Sequence, residues 1–422
     1  MKHLTDARRL EQLLEVTRKL ATPLALPDML EQVIEAARAV LDADRGTVFL
    51  YDRDSDELVL LVGTGLVATR FPATQGLAGD CAQSRQVVNV PDAYADSRFN
   101  REIDRKTGYR TRCVLTVPLV GLEDDLVGVL QLLNKHGGVF TAEDESVATV
   151  LAAQCAVAIQ RVRMVEQLLV KEKMDRELEL AREIQTSLLP HDVKAPAGYD
   201  VIGLSRPAER TGGDTFDLIP RGERALVLLL GDATGHGVGP ALTVTQVRAM
   251  LRFAVRTEVG LDDGFRHIND QLAQDLAANR FITAFFGVLD GEAHEVRYHS
   301  AGQGPLLHFH AANGACDWLE PTTFPMGLMK HDPPHRSSRL ALAPGDVLAL
   351  ITDGVYETEN AEGEMFGHER VGKLVRDGVD GPMADLGREL LQRTDVFRGG
   401  AAQDDDVTIV LVRRLPSGEP HA

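Results

Sequence analysis

The sequence predicts an α+β protein built as two mixed units joined by a long helix. Three observations predict it. Short apolar, β-branched runs bounded by turn residues recur in two separate blocks. Segments of helical periodicity flank or interrupt each block. Between the blocks, Gln160–Leu189 contains no Gly or Pro and is rich in Arg, Lys, Glu, Gln and Leu. A length of 422 residues suits two or three domains. With 45 Lys and Arg against 63 Asp and Glu, the net charge is −18. That balance argues against nucleic acid or an anionic membrane as the main partner, because binding a polyanion needs a basic face.

Residues 1–24 read as an N-terminal helix, with Leu4, Leu10, Leu13, Leu14 and Leu20 near helical spacing. A second helix, Pro27–Leu41, opens a unit at 25–160. The run GTVFLYD, ending in the turn-like Asp52–Asp56, reads as a strand, as do Leu58–Val62, Val114–Leu119 and Leu126–Leu133. Pro91–Arg112 reads as irregular, and helix Ala142–Ile159 closes the unit. Strands mixed with terminal helices make this an α+β domain.

The segment 161–190 carries apolar residues at 3/4 spacing from Val162 to Leu188, with an irregularity near Glu172. About 30 helical residues span roughly 45 Å. A parallel two-stranded coiled coil would bury that seam, the irregularity acting as a stutter, so a homodimer is expected. The other reading is a single helix packed along one of its own domains. Pro190 ends it.

In the last unit, 195–415, strands are expected at Ala225–Leu230, Ala284–Leu289, Glu295–His299, Pro305–His310, Val347–Ile351 and Val407–Val412. Helices are expected at Gly239–Thr257 and Asp262–Ala278. Many strands with helices grouped between them favour a β-sandwich with flanking helices. The N-terminus lacks a continuous apolar segment, no stretch approaches 18 apolar residues, and Cys81, Cys113, Cys155 and Cys316 form no CxxC pair. A soluble cytoplasmic protein without membrane segments is expected.

Four acidic positions of the last unit share one context. Asp232 follows the apolar run ALVLLLG, Asp353 follows DVLALIT, Asp405 lies in QDDDVTIVLV just before a strand, and Asp214 follows two glycines in TGGDTFDLI. Carboxylates at strand ends can converge at one rim of a sandwich, and neighbouring like charges there call for a cation. Oxygen-only ligands suit Mg²⁺ or Mn²⁺, which in pairs activate water for attack on phosphorus. Each DG or DD pair alone reads as a hairpin turn. Four in matching contexts outweigh that reading.

The ordered set PAERTGGDTFD, LLLGDATGHGVGPAL, FITAFFGVLD, YHSAGQGPLL, FPMGL, LAPGDVLALITDGVYE and QDDDVTIVLV resembles the metal-dependent serine/threonine protein phosphatases of the sporulation stage II E type. The preceding AREIQTSLLP resembles that family's leading helix. The resemblance implies an α-β-β-α sandwich and a two-metal centre hydrolysing phosphoserine or phosphothreonine. By motif, Asp232 would bridge both metals, the Ala233 carbonyl would bind one, Asp353 and Asp405 would ligate the first, and Asp214 would lie at the second. Asp405 is preferred over Asp404 and Asp406 by the spacing DDVT. It also implies a partner such as a phosphorylated STAS-type anti-sigma-factor antagonist. Gln303 stands where many members have His, and His236 where a Lys is common.

Residues 25–160 resemble a GAF sensor domain, an antiparallel sheet with helices. The pattern Asn134, Lys135, Phe140, Asp144, Glu145 is complete. In GAF domains of cyclic-nucleotide phosphodiesterases it accompanies cyclic-nucleotide binding through a Lys–Asp contact that shapes the pocket; many bacterial GAF domains carry it with no known ligand. The expected whole is a dimeric sensor-regulated phosphatase using two Mn²⁺ or Mg²⁺ ions. The alternative is a catalytically weak, phosphatase-like binding module switched by a GAF ligand. Outside these motifs, His308 and His310 share one strand face, where two imidazoles can ligate a metal; solvent exposure is the plainer reading.

Overall fold

The computed structural model describes residues 25–416 except 64–68, 209–210, 236, 278 and 331–335. The N-terminal helix expected at 1–24 and His236 lie outside the described residues. The chain divides into two compact units, Met1–Glu172 and Lys173–Ala422.

In the first unit, helix α1 (Leu26–Leu41) places Met29, Leu30, Val33, Ile34, Ala37 and Leu41 on one buried face. Strands β1 (Ala43–Asp52), β2 (Glu57–Gly63), β3 (Arg70–Pro72), β4 (Val88–Val90), β5 (Val114–Val120) and β6 (Leu126–Lys135) form one antiparallel sheet, ordered β3-β2-β1-β6-β5-β4. One sheet face packs α1 and the start of a long helix; the other packs helix α2 (Gly76–Ser84) through Leu77, Ala78 and Cys81. The stretch read as irregular, Pro91–Arg112, holds helix α3 (Arg101–Thr107), capped by the Asn100 side chain accepting from Glu102 N–H. Buried Asp104 there accepts from the Thr111 amide at 2.7 Å, an anchor invisible to periodicity.

The helices expected at 142–159 and 161–190 are one helix, α4 (Ala142–Leu188). With no Gly or Pro from Ala142 to Leu188, nothing interrupts its backbone ladder. The division between the two units falls within it. By length and composition alone it is long and apolar enough to cross a membrane, a test that the core helix of a soluble protein also passes. Its buried positions, among them Leu151, Ala152, Cys155, Ala156 and Ile159, are packed in the core of the first unit.

The second unit is a four-layer sandwich. Strands β7 (Tyr199–Arg206), β8 (Asp214–Arg221), β9 (Ala225–Ala233), β10 (Ile282–Asp290), β11 (Glu295–Ala301), β12 (Leu306–His310), β13 (Ala315–Leu319), β14 (Ser338–Ala341), β15 (Val347–Ile351) and β16 (Val407–Arg414) build two sheets. Their orders are β14-β11-β10-β9-β8 and β13-β12-β15-β16-β7. Phe216, Leu228, Leu230, Phe285, Leu348, Leu350 and Val410 fill the space between the sheets. Helices α5 (Val238–Arg256) and α6 (Leu261–Asp275) cover the outer face of the first sheet. After the short α7 (Asp353–Tyr356), helices α8 (Gly367–Gly378) and α9 (Met383–Arg398) cover that of the second. Strands β9 and β15 are apolar almost throughout because both their faces are covered.

Candidate metal centre

Asp214 opens β8 and is the cross-strand partner of Asp232 near the end of β9. Asp353 follows β15 at the start of α7, and Asp405 and Asp406 precede β16, the neighbour of β15. The two sheets therefore deliver carboxylates to one rim. Their mutual influence records the convergence. Burial, then repulsion from Asp353, Asp405 and Asp406, pushes the Asp232 carboxyl up to about 7. Burial, then Asp405 and Glu357, pushes Asp353 up to about 6. Asp214 is raised well above the carboxylate range by burial and by Asp232 and Asp406. Anionic oxygens crowded in a buried rim are unstable alone, and a hard divalent cation is the neutralising partner their chemistry fits.

The neighbouring Asp405 and Asp406 differ in what they touch. Buried Asp406 accepts the Ala208 amide at 2.7 Å through Oδ1 and the Asp214 amide at 3.1 Å through Oδ2, so its carboxylate is tied to backbone. Asp405 is exposed, its Oδ1 accepting the Asp406 amide at 2.7 Å. A Cβ at Gly354 would lie 2.0 Å from the Asp406 carbonyl oxygen, so only glycine fits after Asp353. A Cβ at Gly213 would lie 2.9 Å from the Ala233 carbonyl oxygen, and the absence of one leaves that carbonyl uncrowded.

Several residues to which the sequence reading gave no supporting role hold the acidic rim in place. Thr352 Oγ1 donates to Asp214 Oδ2 at 2.8 Å and accepts the Thr408 amide at 2.9 Å. Gln303 is buried: its Oε1 accepts from Thr283 Oγ1 at 3.3 Å, and its Nε2 donates to the Ile351 carbonyl at 3.2 Å. It thereby ties β10 in one sheet to the end of β15 in the other. Gln185, near the end of α4, donates Nε2–H to the Gly212 carbonyl at 2.8 Å and accepts Gly212 N–H at 3.1 Å. Asp217, buried on β8, receives Arg252 in two hydrogen bonds of 2.6 and 2.8 Å and Arg248 at 3.1 Å; Arg248 also donates to the Leu188 carbonyl. AREIQTSLLP carried the only sequence signal for Gln185; the threonines carried none.

In the first unit, Lys135 and Asp144 form an ion pair. Asn134 Oδ1 accepts from the Arg112 amide at 2.6 Å, and its Nδ2 donates to Tyr109 Oη at 2.8 Å. Asn89 Nδ2 donates to the Phe140 carbonyl at 3.0 Å and to Glu145 Oε1 at 2.7 Å. The five motif residues thus tie the turn between β6 and α4 to the sheet.

Residues 222–415 match the family model of stage II sporulation protein E (SpoIIE), and residues 25–159 match that of the GAF domain. The SiaA-PP2C domain of Pseudomonas aeruginosa shares the fold, with a TM-score of 0.51 at 24% identity over 58% of this chain and 98% of that one. Among curated relatives, a probable 3',5'-cyclic phosphodiesterase pde-5 of Caenorhabditis elegans is 32% identical over 171 residues, 37% of this chain and 23% of that protein. A cGMP-specific 3',5'-cyclic phosphodiesterase of Drosophila melanogaster is 31% identical over 183 residues, 39% of this chain and 16% of that protein. The chain thus spans less than a quarter of the length of these curated relatives. It joins a GAF domain at residues 25–159 to a phosphatase domain of the SpoIIE type at residues 222–415.

Proposed function

We propose that this chain is a GAF-gated protein serine/threonine phosphatase that hydrolyses phosphoserine or phosphothreonine on a partner protein. The observation that carries the reading is the delivery of Asp214, Asp232, Asp353 and Asp405 to one rim by both sheets of a SpoIIE-type domain. The all-oxygen donor set fits two Mn²⁺ or Mg²⁺ ions. Bound there, such ions supply an activated water and stabilise charge on phosphoryl oxygens. Asp232, Asp353, Asp405, Asp214 and the Ala233 carbonyl are the groups that would hold the ions, with Asp232, which has several carboxylate neighbours, common to both. The Thr352 hydroxyl orients Asp214, and Asp406 fixes the loop that carries it.

Arg280 gives the site a cation for the substrate phosphate. Its Nη1 lies 3.1 Å from the Cβ position of Gly239 in the first turn of α5. Phe281, the next residue, donates to Thr234 Oγ1 at 3.2 Å, which ties this segment to the turn after Asp232. A guanidinium suits a phosphate monoester through paired N–H donors.

The substrate is a phosphorylated STAS-type anti-sigma-factor antagonist or similar phosphoprotein, met in the cytoplasm. The GAF ligand in this reading is a cyclic nucleotide or another small molecule, in keeping with the complete motif and its Lys135–Asp144 pair. Exposed Val150, Val157 and Met164, seven residues apart on α4, support a parallel homodimer through that helix. The test is phosphate release from a phospho-STAS protein and from p-nitrophenyl phosphate, with Mn²⁺, Mg²⁺ or chelator. Metal-dependent turnover favouring the phosphoprotein supports the reading; a preference for the small ester, or turnover in chelator, overturns it.

A further inference from the structure

At the rim opposite the carboxylates lies a second cluster. His308 and His310 project from the same face of β12, and Asp346 stands immediately before β15, seven positions ahead of Asp353. At about 3.3 Å per residue, Asp346 and Thr352, which flank the five-residue β15, are roughly 20 Å apart, so the cluster is separate from the acidic rim. Solvent exposure, the plainer sequence reading of the pair, is wrong for His308, which is only 4% exposed; Asp346 is 3% exposed. The cause is strand parity. Leu307 and Phe309 point into the core beneath α8 and α9, which turns Leu306, His308 and His310 toward the space between the sheets.

We propose that His308, His310 and Asp346 form a site for a borderline divalent metal of the zinc class. One ligand atom from each lies within 4.8 Å of the other two. His308 Nε2 and Asp346 Oδ2 are already 3.2 Å apart, close to the edge of a tetrahedron with bonds of about 2.0–2.1 Å. The two imidazole rings lie 4.0 Å apart between centroids. Two nitrogens and one oxygen are a borderline donor set, unlike the oxygen-only rim, and select Zn²⁺ over Mg²⁺.

The surroundings have the form of a ligand support. Asp346 Oδ1 accepts the Ala311 amide and Oδ2 the Ala343 amide, both at 2.9 Å, so the carboxylate is aimed before any metal arrives. Asp317 Oδ2 lies 2.8 Å from His310 Nε2 and holds that ring, as carboxylates beside metal-bound histidines do. Burial first, then His310, keeps the His308 imidazole below its ordinary pKa, against the pull of Asp346; a neutral ring is the form that ligates. A metal there pins the end of β12 to the turn entering β15.

The test is retention of Zn²⁺, and the visible spectrum with Co²⁺ in its place, by chelator-stripped full-length protein in a large excess of Mg²⁺. The excess Mg²⁺ fills the oxygen-only rim. One retained equivalent with the intense absorption of four-coordinate Co²⁺ is expected. His310→Ala, at a half-buried position whose loss leaves the core intact, lowers affinity at least about a hundredfold, and Asp317→Asn about tenfold. Circular dichroism verifies that both variants fold. No retained Zn²⁺ in the wild type, or the same retention in His310→Ala, overturns the proposal, and neither result bears on phosphatase activity.

Discussion

The side-chain amide of Gln185 holds both backbone groups of Gly212, donating to its carbonyl at 2.8 Å and accepting its N–H at 3.1 Å. A Cβ on Gly212 would lie 2.5 Å from Asp406 Oδ2, and that same oxygen accepts the Asp214 amide. The last turns of α4 are therefore two contacts from Asp214, one of the residues proposed to hold the ions. A change in the helix has a physical route to the loop that carries Asp214, and both ends of the route lie within the second unit. Such an element can bias a competent against an incompetent state.

Gln185→Ala removes both hydrogen bonds. At about 1 kcal/mol each, the loss raises the Mn²⁺ concentration for half-maximal turnover by roughly tenfold or more, with activity recovered at saturating Mn²⁺. An unchanged Mn²⁺ dependence would show that the clamp does not support the metal loop.

Asp405 and Asp406 separate by phenotype. Asp405→Ala, at an exposed position, abolishes turnover and leaves the unfolding temperature of the second unit nearly unchanged. Asp406→Ala orphans the Ala208 and Asp214 amides and costs about 2–4 kcal/mol of stability. Thermal unfolding in chelator, beside phosphate release, reads both. Equal destabilisation by the two variants would contradict the assignment.

The Lys135–Asp144 pair predicts acid sensitivity in the GAF domain. Burial pushes the Asp144 carboxyl up, but Lys135 and the Thr141 amide and hydroxyl outweigh it and leave it below the ordinary value of 3.8. A depressed carboxylate contributes stability above its unfolded pKa, and loses it as pH falls through the folded value. The GAF unfolding temperature should therefore drop more steeply below about pH 4 in the wild type than in Asp144→Asn. Parallel pH profiles would remove the pair from the stability account.

Arg280→Ala should raise KM for the phosphoprotein about tenfold or more while leaving the Mn²⁺ dependence unchanged, as loss of a charge-assisted phosphate contact does. Unaltered KM would place the guanidinium outside the substrate path.

The sequence shows the acidic residues of the rim more readily than it shows their supports. Asp232 and Asp353 stand out because each ends a short apolar run that reads as a covered strand, and the glycine after Asp353 records a contact with the Asp406 backbone. Thr352 leaves no such trace, and the supporting roles of Asp406 and Gln303 are not legible either, since they depend on which strands of opposite sheets become neighbours. Helix α9 was missed because Gly387 and its charged face dilute the apolar period; a Cβ at Gly387 would meet Leu204 Cδ1 at 2.9 Å, so that glycine serves close packing on β7. The helices expected at 142–159 and 161–190 differ in composition, apolar then charged, a change that alters the environment of α4 and not its backbone.

The most direct test of the central claim measures bound Mn²⁺ and phosphate release together in the wild type and in Asp232→Asn. Two bound ions with metal-dependent turnover in the wild type, and loss of turnover with weakened Mn²⁺ binding in a folded Asp232→Asn, is the predicted result. Full activity in the variant, or turnover that survives complete removal of metal, would contradict it.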